Sequence, residues 1–225
     1  MPLNRTLGEL RGELTARLGF GSAGVNNGQL IPIVNNFLFS SQTQMYWGFD
    51  WRALRAWVIK TVGANQVNVD FPVEINADRV DWISMKYSNA WLPPMERGIS
   101  AEMYTSQDRA SVPTHWDMNS ASGSQQIEFW PMTDTTYQYR VFGMAPLTRF
   151  TQDGDRSTID GDLVVLHALG AAKLHYKHPD AEYYIRQLMD LMDAQKSNNW
   201  AKRVFRKGDD AGSWLPKPLL VGRDI

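Results

Sequence analysis

Leu3, Leu7, Leu10, Leu14 and Leu18 recur at steps of three and four residues, with Arg5, Glu9, Arg11, Glu13 and Arg17 between them. That is one apolar stripe on a helix over residues 3–18. Thr6 and Glu9 have the spacing of a capping box, which would move the start to Thr6, and Gly19 and Gly21 end the pattern. A second stripe, Leu30, Val34, Phe37, Leu38 and Met45, predicts a helix over residues 30–46, with Pro32 in its first turn. Gly48 breaks it.

Beyond Trp51 the period shortens to two. Residues 57–62, 66–71 and 80–87 read as strands, 91–95 as a short extended piece, and 100–109 as a helical turn or loop. Residues 114–118 and 126–130 flank a polar stretch and read as a hairpin. The clearest strand is 136–142. Helical spacing then returns. Ser157 and Asp160 have capping-box spacing, and Leu163, Leu166, His167, Gly170 and Leu174 predict a helix over 157–177. Pro179 starts another, over 179–196, through Ala181, Tyr184, Ile185, Leu188, Leu191 and Met192. Helicity is expected to run on through Trp200 to Phe205.

The expected class is therefore α+β. The N- and C-terminal helices form a four-helix bundle, with an antiparallel β region inserted between the second and third helices and an extended C-terminal arm. In domain terms, residues 1–50 and 155–207 make a discontinuous helical bundle, 51–154 the β insertion, and 208–225 the arm.

Composition narrows the function. A formal net charge of -1 and a pI near 6.4 give no global basicity for tight nucleic-acid binding. Cysteine is absent, which removes disulfides, thiolate metal sites and a cysteine nucleophile. No apolar run is long enough to span a membrane, and Met1 to Arg5 lacks the apolar core of a signal peptide. His167, His175 and His178 lie close in sequence and could suggest zinc, but Pro179 makes the backbone at His178 irregular and no carboxylate sits at a matching step. Asp153, Asp155, Asp160 and Asp162 could suggest calcium, yet their spacing departs from an EF-hand loop and fits a solvated helix start. Gly19 to Gly24 resembles a nucleotide loop only superficially, since it follows a helix and lacks the lysine of a phosphate loop. There is no nucleophile elbow. The expectation is a chain with no catalytic residues, no metal and no cofactor.

The C-terminal stretch Trp214-Leu215-Pro216-Lys217-Pro218-Leu219-Leu220-Val221 is apolar, and its two prolines exclude an ordinary helix. Such a segment is expected to dock on a neighbour. The basic run from Lys202 to Lys207, with Phe205 inside it, reads either as a solvated helix end or as an interface.

The order of segments resembles a known family. A Thr-Leu-Gly-Glu-Leu-Arg helix (Thr6 to Arg11) precedes a second helix ending in Tyr46-Trp47-Gly48-Phe49-Asp50-Trp51. A β region with Pro113-Thr114-His115-Trp116 and Ile127-Glu128-Phe129-Trp130-Pro131 leads to a Tyr-rich strand, an acidic approach and two final helices. Over residues 3–205 this is similar to the head–tail adaptor proteins of short-tailed bacteriophages, which include the tail tubular protein A type. Residues 91–111 match no part of that pattern.

The resemblance implies a structural virion protein at the head–tail junction, made in the host cytoplasm. It implies a homo-oligomeric ring, commonly of twelve copies, with a helical bundle against the portal protein and the β part facing tail or nozzle proteins. Passing DNA would be touched transiently and non-specifically, and no membrane is involved. The C-terminal extension would grip the portal through Trp214, Leu215, Pro216, Leu219 and Leu220, with Lys202, Arg203 and Arg206 as further contacts. Two rival readings have their own signatures. A carbohydrate-binding module would use Trp82, Trp91, Trp116 and Trp130 as stacking platforms. A hydrolase would depend on Asp160 or His167.

Overall fold

The computed structural model describes residues 4–20, 28–105, 110–120 and 124–200. Helix α1 (Leu7–Arg17) starts on the capping box: the Glu9 amide donates to the Thr6 hydroxyl, and the Thr6 amide donates to the Glu9 carboxylate. Leu18 closes it, and Gly19 follows with φ at 82°, a left-handed conformation that glycine adopts without strain. Helix α2 (Leu30–Gly48) buries Val34, Leu38, Met45 and Tyr46.

The chain then runs through β1 (Arg55–Val62), β2 (Asn68–Asp70), β3 (Val80–Tyr87), β4 (Ala90–Trp91) and β5 (Glu96–Arg97). A short helix α3 (Ala101–Thr105) precedes β6 (His115–Asn119), β7 (Gln126–Trp130) and β8 (Tyr137–Met144). Two helices, α4 (Gly161–His175) and α5 (Ala181–Trp200), complete the described chain.

The strands form two four-stranded sheets, ordered β1-β8-β3-β4 and β2-β7-β6-β5. They stack as a sandwich because each presents one apolar face inward at period two. Val62, Ile83, Met85, Tyr139 and Val141 of the first sheet meet Trp116, Ile127 and Phe129 of the second in one core. Phe129 and Tyr139 cross it edge to face at 5.2 Å. The sheets are not wholly antiparallel as expected: β5 pairs with β6 in parallel, Glu96 with His115 and Arg97 with Trp116. Strand β5 is two residues long, too short for a period to reveal its direction.

The α+β class stands, but the expected four-helix bundle does not form. In such a bundle each helix turns one stripe toward a shared axis. Here α4 is itself the axis: Leu163, Val164, Val165, Leu166, Ala168, Leu169 and Ala172 are all 3% exposed or less. Helices α1 and α2 pack on it and on each other, while α5 packs on α4 with Gly170 against Ile185. The α5 stripe of Tyr184, Ile185, Leu188, Leu191 and Met192 is only half-buried. Non-helical Trp51, Met144 and Ile159 fill the same core. Helix α4 also starts later than expected. Asp160, not Ser157, is its N-cap and accepts from the Asp162 amide, while the Ser157 hydroxyl donates to the Ile159 carbonyl.

Helices and sandwich meet at Tyr46. This buried phenol donates to the Ala145 carbonyl at 2.9 Å and accepts from Asn76 Nδ2 at 3.0 Å. The Arg79 guanidinium lies over the Tyr46 ring and donates to the carbonyls of Tyr46 and Phe49. Strands β1 and β8, which lead into and out of the β region, pair side by side from Arg55↔Met144 to Val62↔Tyr137.

Candidate functional site

The portal-contact residues expected from the sequence, Trp214, Leu215, Pro216, Leu219, Leu220, Lys202, Arg203 and Arg206, lie outside the described residues. So does the whole arm, 208–225, and the glycine-rich stretch 21–27.

The residues considered for chemistry have structural partners. Asp153 takes Arg11 at 2.7 Å, and that guanidinium holds its carboxyl below the usual range. Asp155 accepts from the Gln152 and Thr151 amides and the Thr151 hydroxyl, which lowers its pKa as well. Asp160 caps α4, and Asp162 pairs with Arg5 at 2.9 Å. His167 lies half-buried on α4 with Nδ1 2.9 Å from the Ser41 hydroxyl, and burial lowers its pKa. The His175 ring meets Phe37 and Tyr176 edge on, and His178 Nδ1 lies 3.4 Å from Asp180. These three histidines are held by different neighbours rather than brought to one point. Among the described residues no cluster of three or more His, Asp or Glu side chains is placed to hold a metal ion. No helix among them is long and apolar enough to cross a membrane.

Aromatic and charged outer faces are better developed. On the first sheet, side-chain alternation turns Trp57, Ile59 and Thr61 of β1, Phe142, Arg140 and Gln138 of β8, and Trp82, Ser84 and Lys86 of β3 to the outer face. Trp82 stacks on Phe142 at 5.1 Å and 15°. The Arg140 guanidinium is held between two indoles, 4.9 Å from Trp82 and 4.6 Å from Trp91. Its Nε and the hydroxyl of its cross-strand neighbour Ser84 are buried and have no hydrogen-bond partner among the described residues. Arg55 closes one end, bonded to Asp50 and Asp81 at 2.6 Å each. Trp57, at 60% exposure, is the most open aromatic of the face.

The outer face of the second sheet is acidic. Asp70, Glu128, Asp117 and Glu96 stand on β2, β7, β6 and β5, one on each strand. Asp117 and Glu128 are direct cross-strand partners, and Glu96 takes His115 at 3.2 Å. The Tyr104 phenol from α3 is raised in pKa by burial and by Glu128, and Trp130 Nε1 donates to the Met103 carbonyl.

The four tryptophans considered as sugar platforms do not share a face. Trp116 is 1% exposed in the sandwich core. Trp82 and Trp91 belong to the outer face of the first sheet, and Trp130 to the second sheet. Sequence reasoning missed Trp57, Arg140 and Phe142 as members of the first face. The signal was present: odd positions of 57–61 and even positions of 138–142 hold the residues that alternation places together.

Comparison with known proteins assigns no family: no family model matches this chain, and no curated protein does.

Proposed function

We propose that this protein is a ring-forming head–tail adaptor, a structural virion subunit that joins a portal to tail components and is not an enzyme. The observation that supports it is the placement of exposed apolar side chains in two separate regions. Leu174, Tyr176, Tyr183 and Met189 are 53–65% exposed on α4, its C-terminal end and α5, while Trp57 and Ile59 are exposed on the sandwich. An adaptor needs one adhesive surface on each of two parts, held rigidly together. The Tyr46 hydrogen bonds to Ala145 and Asn76 tie the two parts together in this reading. The helical side, followed by the apolar proline-containing arm, faces the portal in this reading. Proline reduces the entropy lost when such an arm docks, and repetition around a ring adds many modest contacts.

The experiment is deletion of residues 209–225. The shortened protein is expected to keep its circular dichroism spectrum and Tm and to lose co-sedimentation with portal rings. Undiminished portal binding by the shortened protein refutes the role of the arm. A full-length chain that never binds portal refutes the adaptor reading.

Carbohydrate binding keeps one observation in its favour, the open Trp57 indole beside Trp82 and Phe142. Quenching of tryptophan fluorescence by an oligosaccharide, abolished by Trp57→Ala, would favour that alternative.

A further inference from the structure

The two outer faces of the sandwich each have a deficit that the other face can fill. On the first sheet Arg140 touches two indoles and, among the described residues, no carboxylate. Lys86, two residues along β3 from Ser84, has a 3.4 Å hydrogen bond to Gln138 and no ion pair among the described residues. On the second sheet Asp117 and Glu128 face each other directly across β6 and β7, with Asp70 on the next strand. Like charges directly opposite in a sheet are destabilising. None of these three carboxylates has an ion pair among the described residues.

We infer that copies of this chain associate head to tail through the sandwich, the tryptophan–arginine face of one copy against the carboxylate face of the next. The occupant of each face is thus a second copy of the same chain. Resting on the ring reading above, the inference names the surfaces that would build the ring. A two-fold pairing of like faces would set Arg140 against Arg140, or Asp117 and Glu128 against themselves. Only a heterologous contact satisfies both faces, and a heterologous contact closes into a ring when its rotation permits. Trp57 and Ile59 supply apolar area beside the charges, and such area holds partners that electrostatics has oriented.

The test uses two charge-swapped variants of the full chain. One is Lys86→Glu with Gln138→Glu, and the other is Asp70→Lys with Asp117→Lys. All four positions lie on outer faces and outside both cores. Self-association is followed by sedimentation velocity over a concentration series. Each variant alone is expected to associate about a hundredfold more weakly than the wild type, because like charges then face each other. An equimolar mixture should recover assembly, since every contact in an alternating ring is again attractive. Trp57→Ala, which changes no charge, should weaken assembly about tenfold. Raising the salt concentration should weaken the wild type as well.

Swapped variants that assemble like the wild type, or a mixture that stays dissociated, overturn the face pairing and leave the adaptor reading intact. A wild-type chain that stays monomeric at roughly millimolar concentration, where even contacts of about 4 kcal/mol would show, overturns it too, and portal co-sedimentation then decides the adaptor reading separately. Binding of oligothymidylate or an oligosaccharide to a monomeric wild type would assign the tryptophan face to that ligand instead.

Discussion

Replacing Tyr46 with phenylalanine tests the joint between helices and sandwich. The ring stays, and with it the packing under Arg79, whose guanidinium is 5.2 Å from the ring centroid. The hydroxyl goes, and with it the 2.9 Å bond to the Ala145 carbonyl and the 3.0 Å bond from Asn76 Nδ2. Tyr46 is 0% exposed, so water is poorly placed to replace the hydroxyl. Each lost bond is worth about 1 kcal/mol, and a buried group left unpaired adds to the cost, so the variant should be about 2 kcal/mol less stable. For a chain of this size that is a drop in Tm of about 4–8 °C. Urea unfolding followed by both circular dichroism and tryptophan fluorescence measures it. A double-mutant cycle with Asn76→Ala should return a coupling of about 1 kcal/mol. A change below about 0.3 kcal/mol, with no coupling to Asn76, would refute the claim that this phenol fastens the two parts together.

Gly143→Ala should destabilise by about 1–3 kcal/mol, because a Cβ there would stand 2.5 Å from the Arg79 carbonyl oxygen, a backbone atom; a Tm equal to the wild type's would contradict this. Gly161→Ala makes a useful contrast, since its nearest atom is the flexible Arg5 Cδ at 2.8 Å, and it should lose less stability in the same assay. Tyr139 is buried, and burial, with Asp70 and Glu74, pushes its pKa from 10.0 to about 12. The neutral phenol is favoured in the folded state, so its contribution is whole below pH 10 and is lost between pH 10 and 12, by roughly 2–3 kcal/mol in all; Tyr139→Phe should flatten that part of the stability profile, and an unchanged slope would count against it. His167 is held neutral by burial, so its contribution is present above its unfolded pKa of about 6.5 and declines as pH falls below it. Its imidazole resonance should titrate with a midpoint under 6.5, and a midpoint at or above that value would show that burial does not govern the site.

Elements with strong local signals were legible in the sequence. The Thr6–Glu9 capping box, the strand 80–87 and the restart of helix after Pro179 needed only spacing and turn chemistry. Tertiary arrangement was harder. A bundle was expected from four helical stripes, yet α4 is apolar on nearly every side, from Leu163 through Ala172, and a helix without a polar face belongs in the middle. The parallel direction of β5 was not readable, because two residues define no period. Ser157 and Asp160 have the spacing of a capping box, but the Ser157 hydroxyl donates to the Ile159 carbonyl, and Asp160 itself takes the cap by accepting from the Asp162 amide. The two outer faces were half-legible: alternation names their members, but only the pairing of β8 with β3 and of β3 with β4 brings the Arg140 side chain within reach of both Trp82 and Trp91.

Because β1 and β8 lie against each other with Arg55 opposite Met144, the whole sandwich is attached to the helices by a doubled stem. A different sandwich could be grafted onto that stem, or a tight hairpin turn spliced across it, without lengthening or rerouting the helical part. The same geometry makes the span between the two helical halves independent of how many residues lie between Arg55 and Met144.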